Sequence, residues 1–326
     1  MEHQQQASPA PDWCVTEAQD ADEHAHNLRD WQQQYDQLGS GRFYGRIDEL
    51  VLPDLQLFTE HTSHALRQQC NVWPDSLWLG LAVNPQECRI NGETVAASEV
   101  MCRPGNLDFE LLTPDHFDIY GIVVRQAELQ RLAELQGIEW SEDWWLAPRR
   151  GGDPQRLQAL RQDLGRLLAM AAAGGSGVPA RLQQELMLGR VLDWLQGSDA
   201  RAAEAPSHGR RKQVVDQVRE YVRAHPDEVL TITDLCERVH VSRRTLQYSF
   251  ESVMGISPLR FLRLVRLNGV RRQLSTPMAE ADWRPLATIA ASWGFWHPGE
   301  FARDYRDLFG ESPSTTRERA NQNGRG

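Results

Sequence analysis

The chain has 326 residues, of which 40% are hydrophobic and 25% are charged. At roughly 150 residues per domain, this length predicts about two domains. No segment approaches the ~18 uninterrupted apolar residues of a membrane helix. The first residues, MEHQQQASPAPDW, lack the basic and apolar regions of a secretory signal. We therefore expect a cytoplasmic protein, and we exclude a membrane protein, a disulfide miniprotein and a wholly disordered chain.

Charge is divided unevenly along the chain. The region from Arg210 to the C-terminus holds 19 Lys and Arg against 14 Asp and Glu, whereas residues 1–209 hold 16 basic and 31 acidic residues. An acidic region joined to a basic one indicates a tethered nucleic-acid-binding domain. The five cysteines form no C-x-x-C pair, so we expect reduced thiols rather than disulfides or zinc ligands.

The first half of the chain has strand-like patterning after a polar start. Residues 1–27 predict a flexible arm, and Leu28 to Leu38 is compatible with a short helix. Seven short runs rich in β-branched and aromatic residues follow over 41–125, and Asn91-Gly92 lies between two of them as a hairpin turn. This spacing favours a β-sandwich or small barrel, and we assign a cupin-like β-barrel domain to residues 28–150.

Helical periodicity replaces the strand pattern from Gln126. Asp153-Pro154 predicts the start of a helix with a capping carboxylate, and Gly174 to Gly177 breaks it before a second leucine-rich helix. We assign a helical pair and linker to residues 151–209, and expect the pair to pack on the barrel, on a second subunit, or on both.

The last 115 residues contain an internal repeat. The segment from Phe250 to Pro258 recurs from Tyr305 to Pro313 at an offset of 55, and the segment before each copy recurs at an offset of 54. Each copy predicts a helix, a tight turn and a second helix. We place these helix-turn-helix units at about 231–253 and 284–307, within an all-α domain of residues 210–322. The alternative is an ordinary amphipathic helix pair, which two matched copies make much less probable.

The second helix of each unit carries the residues expected to face DNA. In the first unit, Leu246, Phe250 and Val253 form the inner face, and polar residues cover the outer face. Arg suits guanine and Gln suits adenine in the major groove, whereas Ser and Tyr also bind phosphates. The predicted DNA-binding residues are Ser242, Arg243, Arg244, Gln247, Tyr248, His297, Gly299, Glu300 and Arg303.

The region resembles the DNA-binding domain of AraC-type transcription regulators. The strings that carry the resemblance are TITDLCERVHVSRRTLQYSF, RLVRLNGVRRQL and WGFWHPGEFARDYRDLFGESPS. It implies seven helices bearing two helix-turn-helix units, with base contacts matching Arg244, Gln247 and Tyr248 in the first unit. In the second unit they match Pro298, Gly299, Ala302 and Arg303. Because Pro298 and Gly299 have no side-chain donors, we expect the first unit to supply more of the direct readout.

Earlier strings, from AHNLRDWQQQYDQLGSGRFYGRIDELVL to RPGNLDFELLTPDHFDIYGIVV, are similar to the ethanolamine-operon regulators within that family. This resemblance implies an activator that responds to ethanolamine together with adenosylcobalamin. A small cation is bound by carboxylates and aromatic faces. The candidate effector-binding residues are Tyr44, Glu60, Trp73, Trp78 and Glu110. The expected partners are double-stranded DNA, the effector and RNA polymerase, with a homodimer as one oligomeric state.

Two alternatives stay open. The first is an AraC-type regulator of another catabolic or virulence pathway with a different effector. The second is a cupin-like enzyme fused to a DNA-binding domain. The sequence has no nucleophile elbow, Walker loop or G-x-G-x-x-G, and His61 and His64 of its His-x-x-His pattern would point to opposite faces of a strand. We therefore expect neither a catalytic nor a metal site. The Asp-x-His-x-x-Gly motif of cobalamin enzymes is also absent, because Asp22 and His24 are not followed by its glycine.

Overall fold

The structure, a computed structural model, describes residues 12–84, 86–138, 146–174, 177–201, 206–225, 228–277 and 283–323. The chain divides into two compact units. The first, here called the β-unit, comprises residues 1–35 and 44–202, and the second, the helical unit, comprises residues 36–43 and 203–326. The α+β class expected from the sequence is confirmed.

The described strands pair antiparallel in two sheets, which belong to the β-unit apart from the last two residues of β2. The strands are β1 (Asp12–Ala18), β2 (Gln32–Gln37), β3 (Gly45–Leu52), β4 (Leu55–Thr62), β5 (Leu66–Asn71), β6 (Ser76–Ala82), β7 (Cys88–Ile90), β8 (Glu93–Val95), β9 (Glu99–Pro104), β10 (Phe109–Thr113), β11 (Phe117–Arg125), β12 (Arg149–Gly151) and β13 (Asp199–Ala200). The larger sheet has the order β1-β3-β4-β11-β6-β9-β12-β13 and the smaller one β2-β5-β10-β7-β8. The prediction of a closed barrel is wrong, because the described strands form two open sheets.

The predicted hairpin is confirmed. Asn91 and Gly92 join β7 to β8 and have φ angles of 51° and 80°. Positive φ at both turn residues is the geometry of a type I′ turn, whose twist matches that of the flanking strands. All seven strand-like runs contain strands, whereas β5 was missed because its sequence, LRQQCN, is mostly polar.

The N-terminal predictions need correction. Residues 12–18, assigned to a flexible arm, form edge strand β1 and pair with β3 from Asp12↔Val51 to Ala18↔Gly45. Only Ala18 of its seven residues is buried, which fits the polar composition of the segment. The helix expected near Leu28 to Leu38 is also wrong, because β2 occupies this segment. Main-chain pairing at a sheet edge outweighs the weak helical preference of its glutamines.

Helices cover one face of the larger sheet. The β-unit contains α1 (Ala21–His24), α2 (Gln126–Leu135), α3 (Pro154–Ala172) and α4 (Ala180–Gln196). Asp153 caps α3 by accepting a hydrogen bond from the Gln155 amide at 2.9 Å, as predicted. Leucines of α3 and α4 share one core with leucines of β3, β4 and β6. The helical pair therefore packs on the sheet.

Strand alternation places a different set of side chains between the two sheets. Leu77, Leu79 and Leu81 of β6 join the helix-facing core, so Trp78 points to the other face, where it stacks on Phe109 of the smaller sheet at 4.7 Å. Gly80 makes room for this ring, because a Cβ there would lie 2.4 Å from the indole.

The described part of the helical unit contains seven helices. They are α5 (Pro206–Ala224), α6 (Ile232–Arg238), α7 (Arg243–Met254), α8 (Pro258–Ser275), α9 (Leu286–Ser292), α10 (Pro298–Phe309) and α11 (Pro313–Asn323). The number agrees with the expectation from the resemblance. The long helix α8 links the two repeats, as predicted, and the second repeat has its own core around Phe301, Tyr305 and Phe309.

The helical unit also contains residues 36–43, here called the strap, which the predicted domain boundaries did not include. Buried Asn268 of α8 holds the strap main chain at Gln37. Its Oδ1 accepts from the Gln37 amide at 2.9 Å, and its Nδ2 donates to the Gln37 carbonyl at 3.0 Å and to Leu264 of α8 at 2.9 Å. One side chain thus pairs with both main-chain groups of a distant residue, as a strand neighbour would.

The strap also covers the C-terminal end of α10. The Leu308 carbonyl, one of the groups that a helix end leaves without an internal partner, accepts from the Gly41 amide at 2.9 Å and from Gln37 Nε2 at 2.8 Å. Gly310, which ends α10 with a φ of 66°, fits closely here, because a Cβ would lie 2.8 Å from the Arg42 amide nitrogen. Arg272 of α8 adds an ion pair to Asp36 of the strap at 2.8 Å. The strap therefore bridges α8 and α10.

Candidate nucleic-acid interface

The two repeats have the same local structure. The second helices, α7 and α10, each contain 12 residues and begin and end 55 positions apart. The first helices, α6 and α9, each contain seven residues and are offset by 54. Both second helices end at a left-handed glycine, Gly255 with φ 71° and Gly310 with φ 66°. The internal repeat read from the sequence is therefore a repeat of structure.

The turn of the first unit has the strained geometry that the sequence predicts. Thr231 and Asp234 form a capping box at the start of α6. His240 takes the turn position with a φ of 52°, whereas the second unit has Gly294 there with a φ of 81°. A non-glycine residue rarely adopts this backbone region, so the turn of the first unit is the more strained of the two.

Helix α7 presents a polar face to solvent and buries the predicted apolar face. Leu246, Phe250 and Val253 are at most 1% exposed. Arg243 and Arg244 are exposed near the helix N-terminus. The Ser242 hydroxyl caps this terminus by accepting from the Thr245 amide at 3.1 Å, so its predicted DNA contact competes with a structural role.

Two other predicted contacts in α7 have neighbours that the sequence analysis missed. Gln247 donates to Glu251 one turn later, at 2.5 Å. Tyr248, 59% exposed, accepts from Arg211 of α5 at 3.2 Å, and the guanidinium lies 5.1 Å from its ring centroid. Arg211 therefore adds charge beside the recognition helix, and the basic run Arg210-Arg211-Lys212 was the available signal.

Helix α10 differs from α7 on its outer face. The four residues predicted to contact DNA in the second unit are all exposed and therefore accessible. They are His297, Gly299, Glu300 and Arg303. A Cβ at Gly299 would meet no atom within 4 Å. Arg303 lies 3.8 Å from Asp304, a contact at the limit of an ion pair.

The linking helix α8 is less available to DNA than its arginines suggest. We expected Arg260, Arg263, Arg266, Arg271 and Arg272 to be solvated or near phosphate. Arg271 is instead buried and lies 3.1 Å from Glu311, and Arg272 pairs with Asp36. Arg263 pairs with Asp304, and Arg266 donates to the Leu230 carbonyl. Because these contacts neutralise or hold the side chains, only Arg260 of this set is exposed with no side-chain partner among the described residues.

The structure brings together only part of the predicted effector site in the β-unit. Trp78 lies between the sheets and makes an edge contact with Trp31 at 6.0 Å. Trp73 joins this group, because Gln56 Oε1 accepts from the indoles of both Trp31 and Trp73, at 3.0 and 3.3 Å. Neither Trp31 nor Gln56 was expected from the sequence.

The other three candidates lie elsewhere. Tyr44 is on the surface, where its hydroxyl donates to Glu17 at 2.9 Å. Glu110 follows Phe109 on β10 and so points to the opposite face of the smaller sheet, where it pairs with buried Arg67 at 2.5 Å. Glu60 is between the sheets, but it accepts from the Tyr35 hydroxyl at 3.0 Å and lies 3.1 Å from His24 Nε2. Both buried carboxylates therefore have protein partners.

Two buried donors of this group, on Trp78 and Arg103, lack a hydrogen-bond partner among the described residues. Trp78, 1% exposed, has an indole nitrogen with no hydrogen-bond partner among the described residues. Arg103 is its register neighbour on β9, and its Nε likewise has none there, although Nη2 donates to the Asp108 carbonyl at 3.3 Å. Burial lowers the pKa of the Arg103 guanidinium. An uncompensated buried donor is costly, so this corner of the β-unit favours a bound acceptor.

The C-terminal region of the chain is similar to known proteins. The family described as "Helix-turn-helix domain" matches residues 235–319. A probable AraC family transcriptional regulator from Rhodopseudomonas palustris, known from its crystal structure, is 38% identical over 33% of this chain and 97% of its own, with a TM-score of 0.31. The C-terminal region is an AraC-type helix-turn-helix domain.

The curated relatives match this chain over part of their length. The probable thc operon regulatory protein of Rhodococcus erythropolis is 37% identical over 97 residues, 29% of this chain and 28% of its own. The XylDLEGF operon transcriptional activator 1 of Pseudomonas putida is 28% identical over 185 residues, 54% of each chain. Both relatives are named as regulators of transcription, and neither name mentions ethanolamine.

The described residues provide neither a metal site nor a membrane-spanning helix. No group of three or more His, Cys, Asp and Glu side chains there could hold a metal ion. No helix within the described ranges is long and apolar enough to cross a membrane.

Proposed function

We propose that the chain is a transcription regulator that binds double-stranded DNA through α7 and α10, and that it acts as an activator. The observation that carries this proposal is the repeat itself: two helix-turn-helix units with the same helix bounds, each exposing the outer face of its second helix. Names of relatives such as the XylDLEGF operon activator support the activator role. RNA polymerase is the partner we expect at the promoter.

The test is DNA binding by the full chain at several salt concentrations. Affinity should fall steeply with salt, because phosphate neutralisation releases counterions. Arg244→Ala should weaken a specific site by ~1–3 kcal/mol if the side chain reads a base. Arg166→Ala is the matched control, since Arg166 is exposed on α3 of the β-unit. Binding without salt dependence, or equal losses in both variants, would contradict the proposal.

We further propose that the β-unit binds a small-molecule effector, and that ethanolamine with adenosylcobalamin is the pair to test first. Trp31, Trp73 and Trp78 supply aromatic faces for a cation. The described residues do not fit adenosylcobalamin itself. His24, the histidine of the partial cobalamin-enzyme motif, is fully buried beside Glu60 and so is not available to a large cofactor. We therefore derive no step through cobalamin.

An effector of different chemistry has specific support. Glu60 and Glu110 already have partners, whereas Trp78 and Arg103 offer donors, so a ligand with a carboxylate or another strong acceptor suits this corner better than an ammonium group. Calorimetry of the purified full chain would separate the two candidates. A heat of binding with ethanolamine, alone or with adenosylcobalamin, would support the ethanolamine proposal. A heat of binding with phenylacetate that is lost in Arg103→Leu would support an effector with a carboxylate.

We expect neither catalytic activity nor a need for metal, and a homodimer is one oligomeric state to be measured. Mass photometry of the full chain, with and without DNA, would give the number of copies. Turnover of ethanolamine or phenylacetate by purified protein would contradict the regulatory assignment and favour an enzyme fused to a DNA-binding domain.

A further inference from the structure

The two recognition helices present opposite chemistry at equivalent positions. Because α7 and α10 have the same bounds at an offset of 55, each residue of one has a counterpart in the other. Arg243, Arg244 and Gln247 of α7 correspond to Pro298, Gly299 and Ala302 of α10. The first set can donate hydrogen bonds to base edges, whereas the second set has no side-chain hydrogen-bonding group.

The residue two positions before each helix also differs between the two units, and the second unit again has the more apolar exposed surface. Val241, two residues before α7, is partly buried, whereas its counterpart Trp296 is 68% exposed. A tryptophan this exposed is unusual, because Trp is highly buried on average. It stands at the N-terminal end of α10, the end that recognition helices direct toward base edges. Its exposed indole thus adds a large apolar group two residues before Pro298.

The small residues of α10 also change how closely the helix can approach DNA. Gly299 is open on its outer side, as no atom lies within 4 Å of the position a Cβ would take. Without long side chains at Gly299 and Ala302, the backbone can lie nearer the floor of the groove. Arg303 and Arg306, one turn further along, are exposed and suited to phosphates.

Thymine is the base that matches such a surface. Its C5-methyl group is the one apolar feature of the major groove, and apolar side chains recognise it by contact. We propose that the second unit reads thymine methyl groups through Trp296, Pro298 and Ala302, whereas the first unit reads bases through hydrogen bonds. This inference rests on the proposed function, and it assigns Trp296 as a specificity-determining residue.

The experiment replaces thymine with deoxyuridine, which removes only the methyl group. A duplex is first selected from random DNA with the full chain, and each dT is then replaced singly. We expect replacement to weaken binding about fourfold at one or more positions, the factor that burial of one methyl-sized group converts to. In Trp296→Ala the penalty at the thymine that the indole contacts should disappear, whereas in Arg244→Ala it should persist.

Trp283→Ala is the matched control, since Trp283 is 58% exposed but packs under Arg317 rather than at a recognition helix. It should retain the deoxyuridine penalties of the parent chain. Penalties that are absent at every thymine, or that are unchanged in Trp296→Ala, would overturn the inference. If the full chain selects no duplex at all, the proposed function itself fails, so the two failures are distinguishable.

Discussion

Truncation of Asn268 to alanine should release the strap from the helical unit. Asn268 is 4% exposed, and its amide makes three hydrogen bonds, two to the Gln37 main chain and one to Leu264. Each is worth about 0.5–1.5 kcal/mol net, and the Gln37 amide and carbonyl would lose their buried partner. We therefore expect the free energy that holds the strap to fall by about 2–4 kcal/mol.

Amide hydrogen exchange of the full chain measures this loss locally. The Gly41 amide donates to Leu308 in the docked strap, and its exchange should accelerate roughly 30- to 1000-fold, the factors to which about 2 and 4 kcal/mol convert. Arg260→Ala is the control, because Arg260 is exposed on the same helix. An acceleration below about threefold in Asn268→Ala would refute the assignment of the strap to the helical unit.

Three further predictions address the helical unit. Leu246→Asp should unfold the first repeat by burying a charge, whereas Leu259→Asp, at a 65% exposed site, should keep the circular dichroism spectrum and thermal midpoint of the parent. Burial raises the pKa of the Glu311 carboxyl, but the Thr316 hydroxyl and neighbouring arginines outweigh this and hold that pKa below its ordinary value. Glu311 should therefore stabilise the unit at neutral pH, and this contribution should be lost as pH falls below ~4.3, which a comparison of urea midpoints with Glu311→Gln would detect. A fragment of residues 203–326 lacks the strap, so a peptide of residues 36–43 should raise its thermal midpoint; no rise at saturating peptide would argue against docking.

The helix-turn-helix units could be predicted from the sequence because their determinants are local. Capping residues, a turn residue and an apolar face lie within about 25 residues of one another. Even the strained turn at His240 followed from its alignment with Gly294. Such features repeat when the sequence repeats, so the second copy confirms the first.

The strap could not be predicted, because its partners are remote in sequence. Gln37 meets Asn268 at a separation of 231 residues, and no local pattern marks either residue. The effector candidates do not all lie together for another reason. Residue type selected Glu110 together with Trp78, but strand alternation places Glu110 and Phe109 on opposite faces of β10, and the partner of Glu110, Arg67, lies on missed strand β5.

Because the strap belongs to the helical unit, the β-unit residues 44–202 form an insertion within that unit. Docking the strap closes a loop of roughly 160 residues, whose entropic cost for a flexible chain is about 4–5 kcal/mol before any constant term. A folded insertion shortens this loop, so folding of the β-unit lowers the cost of completing the helical unit. The strap is also synthesised first and its partners last. Any ligand that stabilises the folded insertion should therefore promote assembly of the helical unit through chain connectivity alone.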